Sequence, residues 1–586
     1  MERTNNGKEA VRLCEHIIRQ AFGDVIARVS STLLNRGRLS ASALARLSGL
    51  PPRLVLGSLV VLIQHHLVLS TGETAKEEQY EFNVEECLLR LRYGRILAVT
   101  RERLGEAALE VIRQLIMFGK LRAPDISEAC GGALDQSREL LINSTTLDLV
   151  QNHYVEPFAP ELGILRSERV NRSYKERLVQ KQVSSGSKLL SETSKHNCRA
   201  EAEEEIEAVN EGLRHTDRIL VRASRPLKKK KKDEKKRAGK EKPDDDVELV
   251  SLRSDVFLRI NHDRFGLLVR DQAIVQAATT RWNRGAGIIM RELLEEARLD
   301  GEDVPVARLR DVFGHQHVRT EAVVKRVERI RKSELKRGIV NGEWDAMSSG
   351  IVGGKSVEAV VDNYLRVIAA EDLAIGSGSP FLVNQGGMGG PYRLQLEMIG
   401  VMLRASLLSD LVRQNLGDAA ARVLAAVLKA KYASETIIRD NALVSLKQLR
   451  TILPELQKLN LIETHDIPKT AGGKAARPLA GVPISAGEHH YWHLDLARAY
   501  AVLLAGLYKT LGNLIHRRET EVAKSRPALL REAKVLSMGH GHEQLGERDK
   551  RELEELEDKR RKLDLAIART EGVVFVMRDL PGWPRV

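Results

Sequence analysis

Residues Leu13 to Ser70 read LCEHIIRQAFGDVIARVSSTLLNRGRLSASALARLSGLPPRLVLGSLVVLIQHHLVLS, and their apolar spacing leaves few folds open. Ile17, Ile18, Ala21 and Phe22 fall at helical spacing, and Val25, Val29, Leu33 and Leu34 continue the stripe up to Gly37. Glycine ends a helix readily because it accepts a left-handed conformation without a Cβ penalty. Ser40 is placed to cap a short helix through Leu47, and Pro51 and Pro52 suit the first turn of a third, where a missing N–H costs nothing. That helix runs out near His66; LVLS and YEFNV then read as two strands around the polar tip TGETAKEEQ. Three helices feeding a hairpin make a winged helix, a scaffold that either reads DNA with its third helix or serves as a docking block.

The ending of this unit recurs. LVVLIQHHLVLS is echoed by SRELLINSTTLDLVQNHYVEP, VDNYLRVIAAEDLAIG and LPELQKLNLIETHDIP, each an apolar helix running into a short strand. Four such endings at helical-domain intervals predict an array of winged helices in a mainly α chain with small β-hairpins. The expected boundaries are 8–90, 94–165, 251–404 and 410–495, with a charged, largely disordered linker over 166–250 and a C-terminal coiled-coil hairpin over 496–575. A length of 586 residues suits roughly three to five domains.

The net charge of +13 favours a polyanionic partner, but it is concentrated. Lys228, Lys229, Lys230, Lys231 and Lys232 begin a run that Asp244, Asp245 and Asp246 answer at once. This segment buries too little apolar surface to offset its ordering entropy, and reads either as a nuclear-localisation signal or as a self-repelling spacer. Aromatics at 4% argue against base-stacking platforms. Cys14, Cys87, Cys130 and Cys198 form no CxxC pair, which fits a reducing compartment rather than a zinc knuckle or disulfide framework. No apolar run approaches bilayer length and Met1–Lys8 is no signal peptide, so the expectation is a soluble intracellular chain without membrane contact.

Beyond Asp495 the pattern changes. Leu504, Tyr508, Leu511, Ile515 and Val522 alternate in steps of four and three, with Arg518 at one seam position. Leu553, Leu556, Leu563 and Ile567 make a similar stripe on a second, charged helix. The two suggest an antiparallel hairpin joined by a polar loop, with a seam short enough for another protein to complete. Leu504, Tyr508, Leu511, Ile515, Leu553, Leu556 and Leu563 are therefore expected protein-interface residues.

Signals for chemistry are poor. IVGGKS at Ile351–Ser356 resembles a phosphate loop, but the first glycine of that pattern would fall on Ser349, and a loop capping the following helix explains it better. HGHE at His540–Glu543 and HHYWH at His489–His493 lack the paired spacing of a zinc site. No catalytic residue, metal ligand or cofactor-binding residue is expected.

A DNA-reading helix needs Arg, Lys, Asn or Gln facing the groove. The first unit's third helix offers Arg53, Gln64 and histidines and is otherwise aliphatic on nearly every side, so it is expected to be buried on both faces and to dock protein. The second unit's equivalent has little positive charge after Arg138 and carries Asp148. The fourth is more basic, with Lys447, Arg450 and Lys458. In the third, Lys325, Arg329, Lys332 and Lys336 share one helical face while Val323, Val327 and Ile330 share another. Such a face suits phosphate contacts, and equally a solvated surface.

FGDVIARVSSTLLNRGRLSASALARLSGL followed by LVVLIQHHLV closely resembles the start of the third-largest subunit family of RNA polymerase III, and FLRINHDRFGLLVRDQAIVQAATTRWNRGAGIIMRELLE resembles the opening of that family's third winged helix. The resemblance covers the whole chain in order; LIQHHLV and INHDRFGLLVRD are its most specific parts, and family members often carry Asn where His66 stands. It implies a non-catalytic, nuclear subunit on the clamp of the largest polymerase subunit. It further implies a subcomplex with two other polymerase III subunits, similar to TFIIE, that engages TFIIIB and opens promoter DNA, with single-stranded template as a further contact. The products would be transfer RNAs, 5S ribosomal RNA and other small RNAs. Two other classes remain open at this stage: a free-standing winged-helix transcription factor, and a winged-helix scaffold of another assembly.

Overall fold

The computed structural model describes residues 7–72, 78–131, 136–185, 191–215, 219–223, 249–299, 317–318, 323–327, 357–369, 382–384, 392–468, 488–538 and 545–581. It divides into two compact units, Met1–Phe265 and Gly266–Val586. The chain is mainly helical, and its strands form small antiparallel sheets.

The first unit begins with α1 (Lys8–Phe22), α2 (Asp24–Arg36), β1 (Leu39–Ser40), α3 (Ala41–Ser48), α4 (Pro52–Gln64), β2 (Val68–Ser70) and β3 (Gln79–Phe82). The strands pair in the order β1-β3-β2, with Leu39 opposite Tyr80 and Val68 opposite Phe82. Ser40 Oγ accepts from the Ala43 amide and starts α3, as its position in the sequence suggests. One expectation is corrected. The apolar stripe runs on past Phe22, but the helix does not, because Gly23 at φ 87° and ψ 178° sits in a region only glycine enters cheaply. The stretch is therefore two helices, α1 and α2, whose apolar faces meet; Leu13, Ile18, Val29 and Leu33 are fully buried.

The unit continues with α5 (Val84–Leu89), α6 (Tyr93–Leu104), α7 (Glu106–Phe118), β4 (Leu121–Arg122), α8 (Ala123–Ala129), α9 (Gln136–Gln151), β5 (Val155–Phe158), α10 (Arg166–Ser185), α11 (Glu192–Arg214), β6 (Leu220–Ala223), β7 (Leu249–Leu252) and β8 (Phe257–Ile260). Two corrections follow. Phe257–Ile260, assigned from sequence to the third repeat, is the central strand of the second sheet, ordered β4-β8-β5, with Leu121 opposite Leu258 and Val155 opposite Ile260. The intervening segment is an insertion within that sheet's hairpin. Much of the expected disordered linker is also helical, since α10 and α11 pack against each other. Opposite charges hold the pair: Arg177 lies 2.9 Å from Glu201 and 3.1 Å from Glu205, Lys181 lies 3.1 Å from Glu201, and Arg166 reaches Glu207 at 3.1 Å. Val170, Ala202 and Ile206 supply a thin apolar seam. Mean composition hides this because it averages over the spacing that aligns the charges. Lys228, Lys229, Lys230, Lys231 and Lys232 lie outside the described residues.

The second unit takes up α12 (His262–Arg281), which crosses the division, and continues with α13 (Arg284–Leu299), β9 (His317–Val318), a helical turn over 323–327, α14 (Val357–Ala369), β10 (Leu382–Asn384), β11 (Tyr392–Leu394) and α15 (Leu396–Leu416). Its sheet order is β10-β11-β9, and Met290, Leu293, Val323, Val327, Val361 and Leu365 form its core. Ile351–Ser356 falls outside the described residues, as do residues 385–391 of the glycine-rich stretch. Next come α16 (Asp418–Ala430), β12 (Tyr432–Ala433), α17 (Glu435–Ala442), α18 (Leu446–Lys458), β13 (Glu463–Pro468) and β14 (Glu488–His493). Their sheet order is β12-β14-β13, so among the described residues all four three-stranded sheets place the last strand in the middle.

The helix endings noticed in the sequence share one geometry. His66, His153 and Asn460 all have positive φ, at 58°, 61° and 54°. The amides that follow, of Leu67, Tyr154 and Leu461, donate back to Leu62, Leu149 and Leu456, closing α4, α9 and α18. Asparagine and histidine tolerate this left-handed conformation better than most residues, which is why the repeat shows H, H and N there.

The chain closes with α19 (Leu496–Lys524), α20 (Arg526–Ser537) and α21 (Glu547–Arg578). The expected polar loop between two helices contains a helix of its own, α20, started by Pro527 in its first turn. α19 runs antiparallel to α21, with Arg518 paired to Asp564 and Tyr508 beside Arg578.

Candidate interaction surfaces

α4 occupies the place that reads DNA in a DNA-binding winged helix. Val55, Ser58, Leu59 and Leu62 face the core. The opposite side is not buried as its composition suggests: Leu54 is 49% exposed, Leu56 52% and Val60 68%. Leu56 and Val60 share this outer face with the exposed Arg53, the only charged residue of α4, while Leu54 stands on the other flank; the aliphatic part suits an apolar partner.

The expected interface residues of the C-terminal helices are placed differently. Tyr508, Leu511, Ile515 and Leu556 are buried within the unit itself, so the seam closes on the chain's own helices. Leu504 packs against the core of α16–α18, and Leu553 and Leu563 are half-buried. On the charged amino-terminal half of α21, Asp549 pairs with Arg531 of α20 at 3.1 Å. The sequence cannot show this closure, since a seam satisfied in cis carries the same heptad pattern as one awaiting a partner.

Among the basic candidates, Lys325 is exposed on the helical turn whose Val323 and Val327 are buried. Arg329, Lys332 and Lys336 lie outside the described residues. Lys447 is exposed at the start of α18. Its neighbours are answered by carboxylates: Arg450 stands 3.2 Å from Glu435, and Lys458 lies 2.6 Å from Glu455. The structure therefore brings Lys447, Arg450 and Lys458 onto one helix without making them equally available. Among the described residues no group of His, Cys, Asp and Glu is arranged to hold a metal ion; His540–Glu543 lies outside them.

The two most distinctive sequence segments turn out to be joints. In LIQHHLV, Gln64 Nε2 donates to the carbonyls of Phe118 (3.1 Å) and Lys120 (2.7 Å), tying α4 to the end of α7. His65 packs on Phe22 and His66 on Phe158, with centroids 4.8 and 4.5 Å apart. In INHDRF, Asn261 Nδ2 donates to the His153 carbonyl while its Oδ1 accepts from the Asp263 and Arg264 amides. His262 Nε2 lies 3.2 Å from Glu86 of α5, and Arg259 grips Glu156 at 2.5 Å. Asp263 pairs with Arg214, which brings α11 into the same network.

Burial sets the electrostatics of this joint. It alone would raise the Glu86 carboxyl, but His262 and Arg259 outweigh it and hold the pKa at about 2. His66 is pushed down to about 2, first by burial and then by Arg259. His65 falls to about 4 through burial and Arg90. Glu86, Glu156 and Arg259 were invisible to sequence reasoning because their partners lie far along the chain; the only local signal was the unusual INHDRF string.

Comparison with known proteins adds three family matches. Residues 12–69 match the RNA polymerase III subunit RPC82 helix-turn-helix domain, residues 144–298 the family described as RNA polymerase III subunit RPC82, and residues 408–479 the POLR3C C-terminal winged-helix domain. Among curated proteins the chain is 22% identical to DNA-directed RNA polymerase III subunit RPC3 of Homo sapiens, over 97% of this chain and 97% of that protein. It is 23% identical to the Bos taurus protein of that name, over 97% and 98%, and 21% identical to that of Botryotinia fuckeliana, over 98% and 100%.

Proposed function

We propose that this chain, similar over nearly its whole length to RNA polymerase III subunit RPC3, is a peripheral, non-catalytic subunit of that polymerase that acts in initiation. It sits in a subcomplex with two other polymerase III subunits on the clamp of the largest subunit, in the nucleus. There it helps recruit the polymerase through TFIIIB and helps open promoters of genes for tRNA, 5S rRNA and other small RNAs. Its four three-stranded sheets with their helices are read as four winged helices serving mainly as docking blocks.

The observation that supports this reading is the exposed aliphatic surface of α4, where Leu54, Leu56 and Val60 stand beside a single charged residue, Arg53. A free-standing DNA-binding factor would need the reverse. DNA contact is assigned instead to basic positions of the later repeats, Lys325, Arg329, Lys332 and Lys336, with Lys447, Arg450 and Lys458 as a second patch. They would act on the phosphate backbone, which positions a duplex without reading sequence.

Affinity purification of the tagged chain from cells tests the assignment. Recovery with the polymerase III core and two further specific subunits is expected; recovery without polymerase subunits would rule it out in favour of a free-standing factor or another assembly. Charge reversal at Lys325, Arg329, Lys332 and Lys336 should weaken promoter-complex binding. It should also flatten the salt dependence, by about 0.9 in log–log slope for each phosphate that is no longer neutralised. Unchanged binding would refute that part.

A further inference from the structure

Between Asp24 and Glu73 the chain contains no Asp or Glu, yet it carries Arg28, Arg36, Arg38, Arg46 and Arg53. This acid-free stretch covers nearly all of α2, β1, α3, α4 and β2. Arg38 alone is neutralised, by Glu81 at 2.6 Å and Glu168 at 2.7 Å. The other four are exposed, and among the described residues none has a carboxylate in ion-pair range. Elsewhere in the unit, exposed arginines such as Arg101 and Arg138 hold a glutamate.

The same stretch exposes Leu47 (46%) together with Leu54, Leu56 and Val60 of α4. A groove of about 600 Å³ sets Leu47 of α3 against Arg28 and Arg36 of α2; Glu15 and Asp24 also line it, and both are held by Arg19, at 2.8 and 3.2 Å. Each simple occupant leaves something unsatisfied. Nucleic acid would answer the arginines but leave the leucines and valine against water or phosphate. A wholly apolar segment would cover the leucines and strip water from guanidinium groups without supplying counter-charge.

We propose that the α2–α3–α4 face is the docking site for an acidic amphipathic helix of another protein, whose apolar side covers Leu56 and Val60 and whose Asp and Glu side chains meet the exposed arginines Arg28, Arg36, Arg46 and Arg53. This rests on the reading of the first repeat as a docking block and specifies the partner's chemistry. Apolar anchors supply most of the affinity, while the arginines set orientation and on-rate.

The test uses the full-length chain and a fluorescein-labelled peptide with Leu at helical i, i+3, i+4, i+7 positions and Glu elsewhere, read by anisotropy. A peptide with Lys for Glu and a labelled DNA duplex serve as competing probes. The Leu/Glu peptide is expected to bind. Val60→Glu, at an exposed position that will not disturb folding, should weaken it by about tenfold or more. The Arg36→Glu, Arg53→Glu double variant should weaken it several-fold and remove most of its salt dependence. Arg551→Glu on α21 should change nothing. The idea is overturned if the Leu/Glu peptide fails to bind, if the Lys peptide binds as well, or if Val60→Glu has no effect. Duplex binding that is lost in Arg36→Glu, with no peptide binding, would make this a nucleic-acid face instead. Co-purification with polymerase is scored separately, so a negative peptide result beside normal polymerase recovery defeats only this inference.

Discussion

Arg413 Nε stands 3.1 Å from Asp418 Oδ1, bridging the end of α15 and the start of α16 across Gly417. The same pairing occurs between Arg19 and Asp24 across Gly23 (3.2 Å) and between Arg101 and Glu106 across Gly105 (2.6 Å). The three glycines share one conformation, with φ of 87°, 90° and 87° and ψ near 180°. In sequence these are RQAFGD, RERLGE and RQNLGD, a repeated junction of Arg, two residues, Phe or Leu, Gly and an acid. The glycine bends the lead-in helix into the first helix of the repeat, and the acid sits where the α16-type helix begins, favoured by its dipole.

Gly417→Ala should therefore lower the unfolding free energy of the second unit by about 1–3 kcal/mol. The cost is purely conformational, because a Cβ at Gly417 would meet no atom within 4 Å. Arg413→Ala, which removes an exposed ion pair, should cost less than about 1 kcal/mol. Thermal unfolding of the two variants gives the comparison; equal losses would mean the ion pair, not the glycine, holds the bend.

Acid should destabilise the first unit, and His66 accounts for the onset. Its pKa is near 6.5 when unfolded and about 2 when folded, so below pH 6.5 the unfolded chain binds a proton that the folded chain refuses. Stability is complete above pH 6.5 and falls by about 2 kcal/mol by pH 5. Glu86, held at about 2 in the fold, adds a further loss only below its unfolded value of 4.5. His66→Asn keeps a residue suited to the positive φ and removes the titration. Denaturant unfolding at pH 7.5 and 5 should show a much smaller difference for that variant; an unchanged difference would clear His66.

Arg404 of α15 is fully buried and donates to three carbonyls at the end of α21, those of Met577 (3.2 Å), Leu580 and Pro581 (2.8 Å). It satisfies helix-end acceptors that have no partner of their own. Arg404→Leu should cost at least about 2 kcal/mol, since buried acceptors lose a charged donor. Hydrogen exchange should speed up first at the carboxyl end of α21; uniform protection would argue against a capping role.

The α10–α11 pair should open with salt. Its seam has little apolar area, and Arg177, Lys181, Glu201 and Glu205 are well exposed to screening. Limited proteolysis is expected to cut residues 166–214 faster in molar salt while cleavage within α1–α4 stays unchanged. Glu201→Lys should reproduce the effect at low salt.

Local order is legible in the sequence within the repeated units. Apolar periodicity, Ser40, the prolines at α4 and the repeated helix endings are enough to expect helices feeding small hairpins, and residue strings such as LIQHHLV carry the family resemblance. The same strings give no hint that they form joints, because Gln64 meets Phe118 and Lys120, and His262 meets Glu86, only once distant segments are brought together. The outer face of α4 reads as apolar and suited to docking, but its spacing does not reveal that it stays exposed. Tyr508, Leu511, Ile515 and Leu556 read rightly as apolar seam residues and wrongly as a seam open to a partner.

Neighbours within a few residues made the helices and strand endings of the repeats legible, together with the family to which the chain is similar, but not the break at Gly23 or the helix Arg526–Ser537. Tertiary structure alone decided that Phe257–Ile260 completes the sheet of Leu121–Arg122 and Val155–Phe158, that α10 and α11 pack against each other, and which apolar faces are spent inside the chain. A strand's hydrogen-bonding edge accepts any partner of suitable register, and an ion pair forms between whatever charges folding brings near, so neither choice is written in local spacing.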